Sequence, residues 1–134
     1  KVPNDISTLG DLDIWNNSLL NIVSETVYDP NYKVFVSEKA FKPIVGHRPF
    51  LIYGDKRINA YLKKLGFKTF EKYFNYTAED YLGQAYQLEQ IVKSIDNPQL
   101  VYADLYDDIN YNYYHFKNTV KEVYRNIEKL KEVL

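Results

Sequence analysis

The sequence predicts an α/β domain in which a small parallel sheet is flanked by helices and followed by a helical carboxyl-terminal extension. Within residues 19–70, short apolar runs bounded by turn residues alternate with helical patterns. Strands that alternate with helices imply right-handed crossovers and a parallel sheet. Residues 77–134 carry mainly helical periodicity instead. The chain has 134 residues, which is the size of one domain.

The order of elements expected in the first half is strand, helix, strand, helix, strand. The polar residues 1–18 contain Pro, Gly and several Asn and Asp residues, so they predict a loop or linker before a single domain at 19–134. Strands are expected at 19–25, 49–53 and 67–70 and helices at 37–45 and 56–65, while 33–36 is either a strand or an extended approach to the first helix.

Capping and stop signals support the expected helix boundaries. Ser37 suits an N-cap, and Glu38 lies in the first turn, where the helix dipole favours an anion. Pro43 is expected to shorten or kink that helix. Asp55 can cap the second helix, and Gly66 is a natural stop for it.

The second half predicts three helices. Thr77 and Asp80 resemble a capping box before a helix at 78–95, and the Asp-Asn-Pro run at 96–98 breaks it. A short helix is expected at 99–106. The last helix is amphipathic, with apolar residues three and four apart: Phe116, Val120, Val123, Tyr124, Ile127, Leu130 and Leu134.

Composition excludes several classes of function. The net charge is −1, so bulk attraction to nucleic acid or to an anionic membrane is not expected. No apolar run approaches a membrane span, and no secretory signal is visible at the start. Cysteine is absent, which fits a reducing compartment and, with no secretory signal, a cytoplasmic location. Methionine is absent even at position 1, so a fragment of a longer protein is expected.

The stretch FVSEKAFKPIVGHRPFLIYG, residues 35–54, carries the main functional hypothesis. In α/β sheets, ligands bind beyond the carboxyl ends of the strands, and helix N-termini there suit phosphate. Ser37 and the following amides would form such an end, with Lys39 or Lys42 adding positive charge. Glu38 could accept hydrogen bonds from two ribose hydroxyls, and Gly54 would allow a ligand to approach closely. The alternative is an ordinary helix start that needs no ligand.

Residues 19–70 resemble the donor-binding half of a fucosyltransferase-type glycosyltransferase of the GT-B fold. That family has a Glu-Asn-Ser segment, an aromatic residue, Thr-Glu-Lys opening a helix, and an apolar strand ending in Gly. Here Glu25 in VSET stands at the first Glu, with Phe35 near the aromatic position. Ser37–Lys39 matches Thr-Glu-Lys, and Pro49–Gly54 matches the strand and its Gly. Residues 61–70, YLKKLGFKTF, are similar to phage- and virus-encoded members.

The resemblance implies binding of a nucleotide diphosphate sugar, with GDP-linked sugars among the candidate donors and no bound metal. It assigns Glu38 and Lys39 to the ribose and phosphates and makes Glu25 a further candidate. It also implies a missing N-terminal domain that supplies the acceptor site, so the fragment is not expected to be active alone. Thr26 departs from the family's Asn, and no second phosphate-binding Arg is evident upstream.

A non-catalytic function is an alternative to donor binding in a glycosyltransferase. The chain would then be a structural or interaction domain, for instance of a virus particle, that retains a glycosyltransferase-like core. Its contact surface would be the Tyr-rich stretch 102–116, which half-buried tyrosines on packed helices explain equally well. Basic residues are not gathered with these aromatics, which argues against nucleic-acid binding.

Isolated His and Asp residues are interpreted as structural or solvent-facing. Asp11 and Asp13 form an Asp-x-Asp pair in a loop-like region, and neither His47 nor His115 has a partner at metal-ligand spacing. His47 lies between the expected helix and the buried strand, so it could also line the site.

Overall fold

A computed structural model of the chain describes residues 8–25, 29, 31 and 33–133. The first seven residues of the expected linker, Thr26 and Leu134 lie outside the described residues. The architecture is α/β, and its centre is a two-stranded parallel sheet of β1 (Asn21–Ser24) and β2 (Phe50–Tyr53). The two strands run in register, with Ile22 beside Leu51 and Ser24 beside Tyr53.

Five helices surround the sheet within the described part of the chain. The helices are α1 (Leu12–Asn16), α2 (Lys42–Val45), α3 (Arg57–Lys64), α4 (Tyr81–Ser94) and α5 (Pro98–Val133), and a 3₁₀ turn covers Glu38–Ala40.

The sheet is the centre of the hydrophobic core. Phe50, Leu51 and Ile52 are buried, as expected for a parallel strand that is covered on both faces. Ile58 and Leu62 on α3 are buried in the same cluster, and Leu105 and Ile109 bring the first half of α5 into it. The core therefore joins both halves of the chain around β2.

Two of the five elements expected at 19–70 differ in kind from the prediction. Residues 67–70 do not form a strand, because the side chain of Asn112 on α5 binds the backbone of Lys68 in place of a neighbouring strand. The helix expected at 37–45 is two short turns: Ser37 caps the 3₁₀ turn, and Pro43 lies in the first turn of α2, where its missing N–H costs nothing. Residues 33–36 are extended without forming a strand.

Helix boundaries in the rest of the chain also need correction. The expected linker contains α1, and α4 is capped by Asp80 rather than by Thr77. The break at Asp-Asn-Pro is confirmed, with Pro98 opening α5. The two last helices are one helix of 36 residues, since no Gly or Pro interrupts residues 99–133. Among the described residues, no helix has the length and apolarity to cross a membrane.

The outer edge of β2 is closed by side chains instead of a third strand. The Gly54 N–H donates to Gln84 Oε1 at 2.8 Å, and Gln84 Nε2 donates to the Gly54 carbonyl at 3.0 Å. The Tyr76 hydroxyl donates to the Ile52 carbonyl at 2.9 Å. Burial, followed by the nearby Tyr53, raises the pKa of Tyr76 to about 12, which keeps it a donor. These contacts satisfy buried backbone groups that would otherwise be costly.

Replacing Gln84 with Leu should destabilise the fold strongly. The variant leaves the N–H and carbonyl of Gly54 buried without partners, so we expect the free energy of unfolding to fall by about 3 kcal/mol. Urea denaturation measures this. Gln90→Leu changes an exposed glutamine on the same helix and should shift stability by less than about 0.5 kcal/mol. Equal effects of the two variants would contradict the role assigned to Gln84.

Candidate functional site

The carboxyl ends of β1 and β2 place Glu25 and Gly54 side by side. The Glu25 N–H donates to the Tyr53 carbonyl at 3.2 Å, which continues the parallel pairing beyond β1. A Cβ on Gly54 would lie 3.1 Å from the Glu25 carbonyl oxygen, and Gly54 has a φ of 127°. Both the close approach and the backbone conformation require glycine here.

Glu25 holds the start of the 3₁₀ turn. Its side chain is buried, with the residue only 4% exposed. The Ser37 hydroxyl donates to Glu25 Oε1 at 2.8 Å and lies 2.9 Å from Oε2, and the Ser37 N–H donates to Oε1 at 3.2 Å. The Ser37 oxygen in turn accepts the Lys39 N–H at 3.2 Å. The carboxylate of Glu25 therefore positions Ser37.

Glu38 and Lys39 project from this fixed turn into solvent. Both residues are exposed, and neither forms an ion pair with another described residue. Because the turn has three residues and α2 begins separately at Lys42, the dipole of a long helix does not act at Ser37. Positive charge for a phosphate at this turn would come from the Lys39 ammonium.

Lys42 lies apart from this group. Its side chain lines a surface depression of about 630 Å³ together with Trp15, Asn21 and Arg48. Asn21 is the first residue of β1, so this depression is at the opposite end of the strand from Glu25. The structure thus brings together Glu25, Ser37, Glu38, Lys39 and Gly54 but separates Lys42 from them.

Residues of α4 and of the segment before it line the space beside Gly54. The Gln84 side chain hydrogen-bonds the backbone N–H and carbonyl of Gly54. Glu79, Asp80 and Tyr81 also line the neighbouring depression, which has a volume of about 300 Å³. Two carboxylates at this position would repel a diphosphate. Any phosphate group at this end of the sheet is therefore better accommodated beside Lys39.

Asp55 and Arg57 form an ion pair that the sequence analysis did not predict. Asp55 accepts the N–H of Arg57, the first residue of α3, at 3.0 Å and binds the Arg57 guanidinium at 2.7 Å. Burial would raise the pKa of Asp55, but hydrogen bonds and charge from Arg57 outweigh burial and lower it. Arg57 also donates to the Asp29 carbonyl at 3.0 Å, so it ties the loop after β1 to α3. The Asp-x-Arg spacing directly after a strand is the sequence feature from which this ion pair could have been predicted.

The isolated Asp pair and His115 have structural roles. Asp11 caps α1 by accepting the Asp13 N–H at 2.9 Å. Among the described residues, no group of three or more His, Cys, Asp and Glu side chains could hold a metal ion. His115 lies against the Leu65 carbonyl at 2.7 Å and stacks on Tyr111.

His47 connects the end of α2 to α5. It has a φ of 52°, and its ring packs on Tyr113 with centroids 4.1 Å apart. Its carbonyl accepts from Arg48 at 2.7 Å and from the Tyr102 hydroxyl at 3.3 Å. Burial, and then the charge of Arg48, lowers the pKa of His47. These contacts explain His47 as a packing residue.

In comparisons with protein-family models, with curated proteins and with solved structures, no match to this chain was found.

The Glu25–Ser37 contact should behave as one coupled unit. Glu25→Leu and Ser37→Ala should each lower the free energy of unfolding by about 2 kcal/mol, since each leaves buried polar atoms of the other residue without partners. The double variant should lose less than the sum, because the partners are removed together. Urea denaturation of all four proteins gives the coupling energy. Additive losses would show that the two side chains do not interact.

His47 should make stability depend on pH. Because its folded pKa lies below the ordinary value of 6.5, the unfolded chain binds more protons in slightly acidic solution. The stability that a neutral His47 contributes is fully present above the unfolded pKa, and it is lost as the pH falls from there through the lower folded pKa. In His47→Asn, the fall in unfolding free energy from neutral to mildly acidic pH should be smaller than in the parent chain. The reverse order would contradict the lowered pKa.

Proposed function

We propose that this chain binds the nucleotide diphosphate part of a sugar donor at the carboxyl ends of β1 and β2. It would serve as the donor-binding half of a GT-B-type, fucosyltransferase-like glycosyltransferase. The observation that carries the proposal is the exposed Glu38–Lys39 pair on a turn that the buried Glu25–Ser37 contact holds in place. An exposed pair on a rigid support suits ligand binding, since little ordering is needed when a ligand arrives.

The two exposed side chains have complementary roles in this proposal. The Glu38 carboxylate accepts hydrogen bonds from the two adjacent ribose hydroxyls, a geometry that its two oxygens suit. The Lys39 ammonium binds the diphosphate, which is the leaving group, and stabilises the negative charge that develops on it as its bond to the sugar breaks. Glu25 and Ser37 act as positioning residues and do not touch the donor. Lys42 and Gly54 have no direct contact with the donor in this scheme.

Sugar transfer itself would need groups from outside this site. The proposal places the acceptor site and the catalytic base on another domain, as the GT-B resemblance implies. The site described by Glu25, Ser37, Glu38 and Lys39 then contributes donor binding alone.

A second candidate function is supported by the filled recess at Gly54. The Gln84 amide hydrogen-bonds both backbone groups of Gly54, so these groups have partners without a ligand. A non-catalytic interaction domain, for instance of a virus particle, would use such a closed core as a scaffold. The exposed Tyr106, Tyr111 and Tyr114 of α5 would then contact a partner.

Calorimetric titration with GDP, UDP and their sugars tests the donor-binding proposal. Binding should weaken about tenfold or more in Glu38→Ala and in Lys39→Ala, since each variant removes a charge-assisted contact. Glu128→Ala and Lys129→Ala, a matched exposed acidic–basic pair on α5, should leave binding unchanged.

Two outcomes of that titration would reject the proposal. One is the absence of binding to every nucleotide by a folded sample, which would favour the interaction domain. The other is binding that survives both Glu38→Ala and Lys39→Ala, which would place the nucleotide elsewhere on the molecule. Circular dichroism of each variant confirms that the fold is retained.

A further inference from the structure

A surface depression of about 610 Å³ lies at the amino ends of β1 and β2, whereas the proposed donor site is at their carboxyl ends. It is bounded by the end of α1, by the residues just before β1 and by the first turn of α5. We call it the Arg48–Gln99 depression after two of its lining residues, of which Arg48 also lines the neighbouring depression that contains Lys42. Its volume is within the range of small-molecule binding sites.

Backbone carbonyls hold the Arg48 guanidinium in place. Its Nε donates to the Trp15 carbonyl at 2.6 Å, and its Nη1 donates to the His47 carbonyl at 2.7 Å. The centre of the Tyr102 ring lies 5.4 Å from the guanidinium carbon, which is a cation–π distance. Trp15 is itself fixed, since its indole N–H donates to the Leu9 carbonyl at 2.8 Å. The guanidinium is therefore ordered before a ligand arrives, which lowers the entropy cost of binding.

The positive charge of Arg48 has no carboxylate partner among the described residues. Its Nη2 group forms no hydrogen bond with a described residue either. No described acidic residue lines the Arg48–Gln99 depression, and Asp11, which lines the neighbouring depression, accepts the Asp13 N–H. An arginine with free N–H groups pairs strongly with a carboxylate or a phosphate. The depression thus suits a ligand that carries an oxyanion.

The charge of the depression favours a carboxylate over a phosphate. Among the described residues that line the Arg48–Gln99 depression, Arg48 alone is charged. A carboxylate has one negative charge, which one arginine neutralises, whereas a phosphate monoester has a charge of about −1.5 to −2 at neutral pH. Lys42 lines the neighbouring depression and not this one, so it does not supply the second positive charge that a phosphate needs. A monoanionic carboxylate is therefore the matching group.

The rest of the lining suits the hydroxyl groups of a small ligand. The side chains of Asn16 and Gln99 are exposed and form no hydrogen bond with a described residue. Each amide has N–H donors and a carbonyl acceptor, and a hydroxyl group can use both. The Asn17 amide and the Ser18 hydroxyl donate to carbonyls of α1, which leaves their oxygens as acceptors. Apolar surface is supplied by Leu19, Pro98 and the ring of Tyr102.

We propose that the Arg48–Gln99 depression binds a small hydroxylated carboxylate, such as a sugar acid. The free N–H groups of Arg48 bind the carboxylate oxygens, and the amides of Asn16 and Gln99 bind hydroxyl groups of the same molecule. This site is at the other end of the strands from Glu38 and Lys39, so it does not depend on donor binding.

Titration of the ¹⁵N-labelled chain with glucuronate and galacturonate tests the site, with glucose and galactose as the matched neutral ligands. Trp15 is the one tryptophan of the chain, so its indole N–H signal reports on this end of the molecule. At least one of the two acids should shift that signal with a millimolar or lower dissociation constant, and its neutral counterpart should bind about tenfold or more weakly. No response to either acid, or equal binding of the neutral sugar, would overturn the proposal. Tighter binding of glucose 6-phosphate than of glucuronate would overturn the assignment of a carboxylate.

A charge introduced at residue 99 tests the role of Arg48 without removing the contacts that hold it. Gln99→Glu keeps the size of an exposed side chain and places a carboxylate beside Arg48, so it should weaken binding of the acid about tenfold or more. Gln90→Glu makes the same change on an exposed glutamine of α4 and should leave binding unchanged, as should Glu38→Ala and Lys39→Ala. Full affinity in Gln99→Glu would overturn the proposal. Binding lost in Glu38→Ala and Lys39→Ala would place the acid at the donor site and would overturn it as well.

Discussion

The Gln84 side chain, paired with both backbone groups of Gly54, is the interaction on which the rest of the structure depends. The two strands in the described part of the chain leave polar backbone groups along the outer edges of the sheet, and buried groups of this kind need partners. Gln84 supplies them beyond the end of β2, and Tyr76 supplies one for Ile52. Both α4 and the loop before it are thereby fixed against the sheet. As a result, the Gln84 side chain fills the recess at Gly54.

The exposure of the candidate site also depends on how the edge of this small sheet is covered. Gly54 is covered by α4, and among the described residues at the carboxyl end of the sheet the turn after residue 36 is exposed. Glu25 reaches across from β1 to hold Ser37, and Ser37 orients the backbone of Lys39. The buried Glu25 carboxylate accepts from the hydroxyl and the N–H of Ser37, so it stabilises the turn that begins there. Two charged side chains, Glu38 and Lys39, are presented to solvent as a result.

The α/β class, the parallel pairing of β1 with β2 and the N-cap role of Ser37 were predictable from local patterns. Apolar runs, caps and stops are encoded within a few residues of where they act. The missing strand at 67–70 was not predictable, because it depends on Asn112, which is 44 residues away from Lys68 in the chain. The hydrogen-bond partners of Glu25 and Gly54 were not predictable for the same reason: Ser37 and Gln84 lie on other elements. Polar side chains that substitute for strand neighbours leave no periodic signal in the sequence.

The most direct test of the donor-binding account is the location of nucleotide on the protein, measured by amide chemical shifts of the ¹⁵N-labelled chain during titration with GDP and UDP. The account predicts that the largest changes fall on the backbone amides of residues 37–40. Changes centred on the depression formed by Trp15 and Arg48, at the other end of β1, would contradict it. So would an unchanged spectrum at millimolar nucleotide.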